Sequence, residues 1–281
     1  SADEDSVRVA MGNGDGTFGA SQVIAVGDQP HGVAVLDMDG DGDSDLAVAV
    51  RLSNHIAITL NNGSGVFSAA TTFDSGGNGE YGLAAADMNN DQITDLVVGV
   101  NDGEEVIVLR GNGDATFTPI GTQASGGWTW VVTVGDLNGD GNADVSTANS
   151  VSANGSILLG DGLGGLSAPV SVSCEGHCVS SDLGDLDGDG DMDWVLSSFG
   201  GGRWRVFKNN GAGVFAFDQE FFAPANPSCG IILDFDLDGD LDLALTDEIA
   251  DVVVLMKNTS SPTPVPALSA VGFLALFGLL L

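Results

Sequence analysis

Aspartates at alternate positions are the residues of this sequence best placed to do chemistry, and they recur in phase. Segments beginning at Asp37, Asp87, Asp136, Asp185 and Asp234 read DMDGDGDSD, DMNNDQITD, DLNGDGNAD, DLDGDGDMD and DFDLDGDLD. Their pattern is D-x-[DN]-x-D-x-x-x-D, with glycine at position six in four of the five copies. Side-chain oxygens at positions one, three, five and nine, with a backbone carbonyl at seven, form the donor set of a hard cation. Ca²⁺ takes six to eight oxygens at roughly 2.3 to 2.6 Å, and glycine at six lets the chain reverse through positive φ. The predicted ligands are Asp37, Asp39, Asp41, Asp43 and Asp45 in the first loop, and Asp87, Asn89, Asp91, Ile93 and Asp95 in the second. The third loop offers Asp136, Asn138, Asp140, Asn142 and Asp144. The fourth offers Asp185, Asp187, Asp189, Asp191 and Asp193, and the fifth Asp234, Asp236, Asp238, Asp240 and Asp242. An EF-hand opens in the same way but needs Glu at position twelve between two helices; here position nine closes the site and a β-like run follows.

Asp, Asn and Gly also make turns without any ion, because Asx side chains cap their own backbone. Turn formation alone does not demand carboxylates at fixed alternate positions in every copy. The loops hold 21 of the 40 acidic residues, a density that is costly unless cations neutralise it. Up to five structural Ca²⁺ ions are therefore expected.

The elements that must position these loops follow from their spacing. Steps of 50, 49, 49 and 49 residues separate the loops, a period that points to a propeller or solenoid. Within a unit four strand-like runs can be read. His31 to Leu36 precedes the loop, Leu46 to Val50 follows it, and Ile56 to Leu60 and Val66 to Ala70 complete the set. Residues 1 to 258 show no helical periodicity, and short apolar runs bounded by Gly and Asn abound. Four strands per unit, repeated radially, is the arithmetic of a β-propeller blade. The 42 glycines fit tight turns rather than disorder, since hydrophobic residues still make up 43%.

On VLDMDGDGDSDLAVAV, VGDLNGDGNADV, LGDLDGDGDMDWVL and VRVAMGNGDGTF the sequence resembles the integrin α-subunit type of propeller, the FG-GAP or VCBS repeats. The resemblance covers about residues 7 to 257 and implies an all-β propeller in which the Ca²⁺ loop joins the first and second strands of each blade. The second loop departs most, with Asn90 and Gln92 where glycine is usual. Blades are expected at about 30–75, 80–125, 129–173 and 178–223, with an incomplete one at 229–257. Only a third and a fourth strand, Val7 to Met11 and Thr17 to Val26, precede them as a partial blade over 7–26. The expectation is an incomplete ring, cut from a longer chain, whose N-terminal pair packs on the first full blade or frays.

After Lys257 the composition changes. NTSSPTPVP, residues 258–266, reads as an extended linker. ALSAVGFLALFGLLL, 267–281, is apolar to its last residue; as a helix it would span about 22 Å, short of the roughly 20 residues a bilayer needs. It reads as a truncated membrane or sorting segment, similar to the start of bacterial C-terminal sorting signals and in layout to a GPI signal. Either assignment places the propeller outside the cell, where millimolar Ca²⁺ suits such loops. The formal charge of −33, about −23 with five Ca²⁺, disfavours nucleic acid and anionic membranes as partners. Of the three cysteines, Cys174 and Cys178 are expected to form a local disulfide. The alternatives are a Cys178 to Cys229 bridge between blades and a metal site using His177.

Six residues before each loop stand His31, Tyr81, Trp130, Val179 and Ser228, at the start of each innermost strand. That end lies opposite the Ca²⁺ loops, around the mouth of the central channel. With Trp128, three successive blades place rings there. His31, Tyr81, Trp128 and Trp130 are the candidate ligand surface for a sugar or an apolar side chain; the alternative is that they cover the channel mouth. Catalysis finds little support: His31, His55 and His177 lie in different blades, and neither HExxH, GxSxG nor a phosphate loop occurs. Two functions remain. One is an extracellular, calcium-binding adhesion or recognition module for a protein or glycan; the other is an accessory propeller of a larger secreted enzyme.

Overall fold

The computed structural model describes residues 4–259, and every regular element in it except an N-terminal 3₁₀ residue is a β-strand. Ser6–Val9 (β1) and Gln22–Ala25 (β2) form a two-stranded sheet. Pro30–Leu36 (β3), Asp45–Val50 (β4), His55–Thr59 (β5) and Thr71–Phe73 (β6) form the first four-stranded sheet. Glu80–Ala86 (β7), Asp95–Val100 (β8), Glu105–Gly111 (β9) and Phe117–Ala124 (β10) form the second. Thr129–Gly135 (β11), Asp144–Asn149 (β12), Asn154–Leu158 (β13) and Val170–Ser173 (β14) form the third. His177–Gly184 (β15), Asp193–Phe199 (β16), Arg203–Asn209 (β17) and Phe215–Phe222 (β18) form the fourth. Pro227–Leu233 (β19), Asp242–Asp247 (β20) and Val252–Met256 (β21) form a three-stranded fifth. All pairings are antiparallel between chain neighbours, which is the meander of a propeller blade.

The first strands of successive full sheets, β3, β7, β11, β15 and β19, lie side by side in chain order. Sheets therefore stack face on face, and the second strand of a sheet is buried on both sides: β4 and β8 are apolar after their first aspartate, whereas β12 buries Ser146, Thr147 and Asn149. Every residue of β4, β8 and β12 is buried, whereas the outer strands β10 and β14 are largely exposed. The cores lie between sheets. Leu36, Ala47 and Ile58 of one pack with Leu96, Val98 and Leu109 of the next, and Leu137 and Ile157 pack with Trp194, Leu196 and Phe207.

The N-terminal pair packs on the first full sheet. Ile24 and Val26 share a core with Val48, Val50 and Phe67. Gln22 clamps Phe67 from both sides, its Nε2 donating to the Phe67 carbonyl at 2.7 Å and its Oε1 accepting from the Phe67 N–H at 2.9 Å. The strands are shorter than the apolar runs suggest. Met11 to Phe18 is a turn closed by the Asn13 N–H on the Thr17 carbonyl and the Thr17 N–H on Asp15 Oδ1. Likewise Val66 to Ala70 is no strand: Phe67 makes a single bridge to Asn61, and the fourth strand begins at Thr71.

Successive sheets are also stapled by hydrogen bonds at position two of the acidic loops. Ala115 N–H donates to the Met38 carbonyl at 2.8 Å and Gly164 N–H to Met88 at 3.0 Å. Asn209 Nδ2 donates to Leu137 and Asn258 Nδ2 to Leu186, both at 2.7 Å. Asn258, placed by sequence in the linker, is thus tied into the last sheet. Among the described residues no pairing joins the first and last sheets into a ring, and no helix is long and apolar enough to cross a membrane. The rest of the linker, 260–266, and the apolar segment 267–281 lie outside the described residues.

Candidate metal loops and an aromatic row

Each acidic loop joins a first strand to a second, β3 to β4 through β19 to β20, and its own side chains wind it. The position-one carboxylate accepts from the N–H of position six in all five, as Asp37 Oδ2 does from Gly42 at 3.0 Å and Asp136 Oδ2 from Gly141 at 2.9 Å. Position five accepts from the N–H of position seven, as Asp41 does from Asp43 at 2.9 Å. Position six adopts positive φ in every copy, including Gln92 at 70°.

Position nine is the deepest member. Asp45, Asp95, Asp144, Asp193 and Asp242 are all 1% exposed or less. Each accepts from position two with one oxygen and from the residue after the third strand's core with the other. For Asp144 these are the Leu137 N–H at 2.9 Å and the Gly160 N–H at 2.7 Å. Burial raises the pKa of Asp45, Asp95 and Asp144 against these hydrogen bonds, and that of Asp193 to about 6, with the neighbouring aspartates adding to the rise. A cation in the loop would relieve that strain on the charged form.

The residues fit a hard metal ion in three loops. One oxygen from each of Asp37, Asp39 and Asp41 lies within 4.8 Å of the others, and the same holds for Asp185, Asp187 and Asp193 and for Asp234, Asp236 and Asp242. An all-oxygen set of this kind suits Ca²⁺ or Mg²⁺ rather than zinc. The second and third loops, with Asn89 and Asn138 at position three, bring together no three acids among the described residues. In the first and fourth loops the position-seven side chains, Asp43 and Asp191, turn to the glycines Gly63 and Gly211 of the next turn, where a Cβ would sit 2.5 Å from a carboxylate oxygen. That leaves the backbone carbonyl of position seven as its donor. Lys208 Nζ lies 2.9 Å from Asp187 Oδ2, holding that carboxyl below its ordinary range.

On the opposite end of the first strands, His31, Tyr81, Trp130 and Trp128 do come together. His31 stacks on Tyr81 with centroids 3.8 Å apart, Tyr81 lies tilted against Trp130 at 4.3 Å, and Trp130 meets Trp128 at 5.9 Å. Two features of the backbone build this row. The register of each first strand shifts at the ring-bearing position, between Pro30 and Val33, Glu80 and Gly82, and Thr129 and Val131, and a bulge re-aims its side chain. Glycine follows the first two rings: a Cβ on Gly32 would stand 2.5 Å from the Tyr81 carbonyl oxygen, and one on Gly82 2.9 Å from the Val132 nitrogen. The strands can therefore close until the rings touch. Bulges recur at Val179 and Ser228, but no ring stands there.

Arg51, which nothing in the sequence singled out, caps the row. Its guanidinium carbon is 5.5 Å from the Trp128 ring centroid, and Nη1 reaches Gln29 Oε1 at 3.4 Å. Five of the seven cations form ion pairs; among the described residues Arg51 and Arg110 do not, and the buried Nε of Arg51 has no partner. Burial, and then Arg51, lower the His31 pKa to about 4, so this imidazole is neutral. Core tryptophans Trp194 and Trp204 spend their indole N–H groups on Ser181 and on the Cys229 carbonyl. Among the described residues Trp128 and Trp130 spend theirs on no protein acceptor, nor does the Tyr81 hydroxyl.

Cys174 and Cys178 are joined as a disulfide and Cys229 is free. His177 lies beside them with Nδ1 3.3 Å from Ser150 Oγ.

Meandering sheets of one repeat, each carrying an acidic loop between its first two strands, define a repeat protein of β-propeller type. The FG-GAP-like repeat model matches residues 1–48, 37–98, 87–147, 136–196 and 185–245, and the chain belongs to that family. None of the curated proteins matches the sequence. Among solved structures the chain is similar to an Agrocybe aegerita lectin that recognises non-reducing terminal N-acetylglucosamine, at 22% identity and TM-score 0.61 over 91% of this chain and 72% of that one. It is also similar to BBS1N from a complex with ARL6DN, at 15% identity and TM-score 0.57 over 86% and 67%. At these identities the likeness is one of fold.

Proposed function

We propose that the chain is a non-catalytic, calcium-binding propeller module that recognises a glycan or a protein outside the cell. Ca²⁺ in the acidic loops is structural in this reading, and the aromatic row is the recognition surface. The observation that carries it is the set of unspent donors on the row: among the described residues Trp128 Nε1, Trp130 Nε1 and the Tyr81 hydroxyl have no protein acceptor, and beside them the Arg51 guanidinium makes a single 3.4 Å bond, to Gln29. Sugar hydroxyls and peptide carbonyls are acceptors, and a binding site with unmet donors discriminates strongly for a partner that supplies acceptors. The solved lectin of the same fold lends a glycan ligand some support. Exposed loops suit millimolar extracellular Ca²⁺, and a disulfide suits an oxidising compartment.

The test is a glycan array, including glycans ending in N-acetylglucosamine, run with the wild type and with the triple variant Tyr81→Phe, Trp128→Phe, Trp130→Phe. The variant keeps stacking and removes the donors. Binding by the wild type and its loss in a variant of unchanged melting temperature is the expected result; equal binding by both would refute the row as the site.

A further inference from the structure

The chain contains two lysines, Lys208 and Lys257, and they lie 49 residues apart, at one position of the repeat. Each precedes the asparagine whose backbone N–H donates to position nine of its own loop, Asn209 to Asp193 and Asn258 to Asp242. From there both ammonium groups reach back into the acidic loop of the same blade. Lys208 Nζ pairs with Asp187 Oδ2 at 2.9 Å; Lys257 Nζ pairs with Asp238 Oδ2 at 2.6 Å and also contacts Asp236. Asp187 and Asp236 stand at position three and Asp238 at position five, so the lysines hold oxygens that a metal ion would need. In the first and third blades the same position is Leu60 and Leu159, as the neighbouring Asn61 and Gly160 bonds to Asp45 and Asp144 show. In the second it is Arg110, before Gly111, and among the described residues Arg110 makes no ion pair with its loop. The first, fourth and fifth loops otherwise carry the same five aspartates.

We propose that Lys208 and Lys257 are internal counter-cations that compete with Ca²⁺ for the fourth and fifth loops, so that these two sites bind more weakly than the first although their carboxylates match it. The inference rests on the calcium reading given above. An ammonium group supplies one positive charge and up to three donors, enough to hold a loop of like charges together without metal. Ca²⁺ must break that pair to take the same oxygens, and the displaced ammonium stays close enough to repel it. Exposed pairs of this kind are worth little individually, which sets the expected effect at about fivefold in affinity per site. The device would grade the loops: the first fills as its aspartates dictate, and the last two respond only to higher calcium.

The experiment is calcium titration by calorimetry and thermal melting in EDTA, on the full chain as wild type, Lys208→Leu, Lys257→Leu and the double variant. Arg8→Gln, which removes a cation of β1 paired with Glu4 and with no acid of the loops, controls for net charge. Each lysine variant is expected to melt lower than wild type in EDTA and to bind Ca²⁺ about fivefold more tightly in one of the weaker steps. The opposite signs of the two effects mark a competing counter-cation. Isotherms that match the wild type, or shifts no larger than those of Arg8→Gln, would overturn the proposal while leaving the calcium reading intact. A wild type that takes up no Ca²⁺ at millimolar concentration would overturn both.

Discussion

His31 lies flat against Tyr81, with centroids 3.8 Å apart and planes 18° from parallel, and the glycine after each ring is what lets the next blade come that close. Gly82→Ala tests this. The added Cβ would stand 2.9 Å from the Val132 nitrogen and 3.2 Å from the Val131 backbone, and neither can swing aside as a side chain would. Overpacking of this kind costs about 1 to 3 kcal/mol. The variant is expected to melt lower and to show altered tryptophan emission as Trp130 parts from Tyr81. An unchanged melt and spectrum would mean that the blades are spaced by something other than Gly82.

The same stack makes stability depend on pH through His31. Its pKa in the fold is about 4, below the ordinary 6.5, because burial and then Arg51 disfavour the imidazolium. The unfolded chain therefore takes up the proton first. Stability due to neutral His31 is full above pH 6.5 and drains as pH falls towards 4. His31→Phe keeps a ring in the stack and removes the titration, while the many carboxylates titrate in both proteins. The melting temperature of wild type is expected to fall more than that of His31→Phe between pH 7 and pH 4.5; parallel curves would argue against a buried neutral imidazole.

What could be read in the sequence was whatever repeats in residue type. Aspartates at fixed spacing located the loops, and Tyr81 and Trp130 could be found by counting back from them. The bulges that aim those rings left no mark, because a bulge is a shift of pairing and not a kind of residue. Arg51 was out of reach for a related reason: it meets Trp128 across two blades, a contact that only the assembled stack creates. Phe67 misled in the other direction, since its apolar ring suggested a strand, whereas the Gln22 amide and a single bridge hold it at the end of a turn. Position nine was read only as a metal ligand, but its oxygens are also the latch between the loop and the third strand.

Two loops store backbone strain that can be removed. Leu237 sits at φ 62° with its side chain 87% exposed, where Gly40, Gly139 and Gly188 stand in three other loops. Gln92 sits at φ 70°, where the other four loops have glycine. A left-handed conformation costs a residue with a Cβ roughly 1 kcal/mol, and glycine's freer unfolded state offsets part of the gain. Leu237→Gly and Gln92→Gly are each expected to raise stability by a few tenths of a kcal/mol to about 1 kcal/mol in denaturant titrations. A loss in both would show that the side chains make contacts that outweigh the strain.

Asp39 and Asp45 separate the metal role of a loop from its role as a turn. Asp45 accepts from the Met38 N–H at 3.0 Å and from the Asn61 N–H at 2.8 Å, fully buried. In Asp45→Asn one of those acceptors becomes a donor aimed at a backbone N–H, so about 1 to 3 kcal/mol should be lost whether or not calcium is present. Asp39 makes only a 3.3 Å bond with the Asp41 N–H, and the second and third loops carry Asn at this position. Asp39→Asn should leave the melt in EDTA nearly unchanged and shrink the gain on adding Ca²⁺, which for a site at a hundredfold excess is about 2.7 kcal/mol. If the loops were turns and nothing more, calcium would raise the melting temperature of neither wild type nor variants, and Asp39→Asn would be silent under every condition.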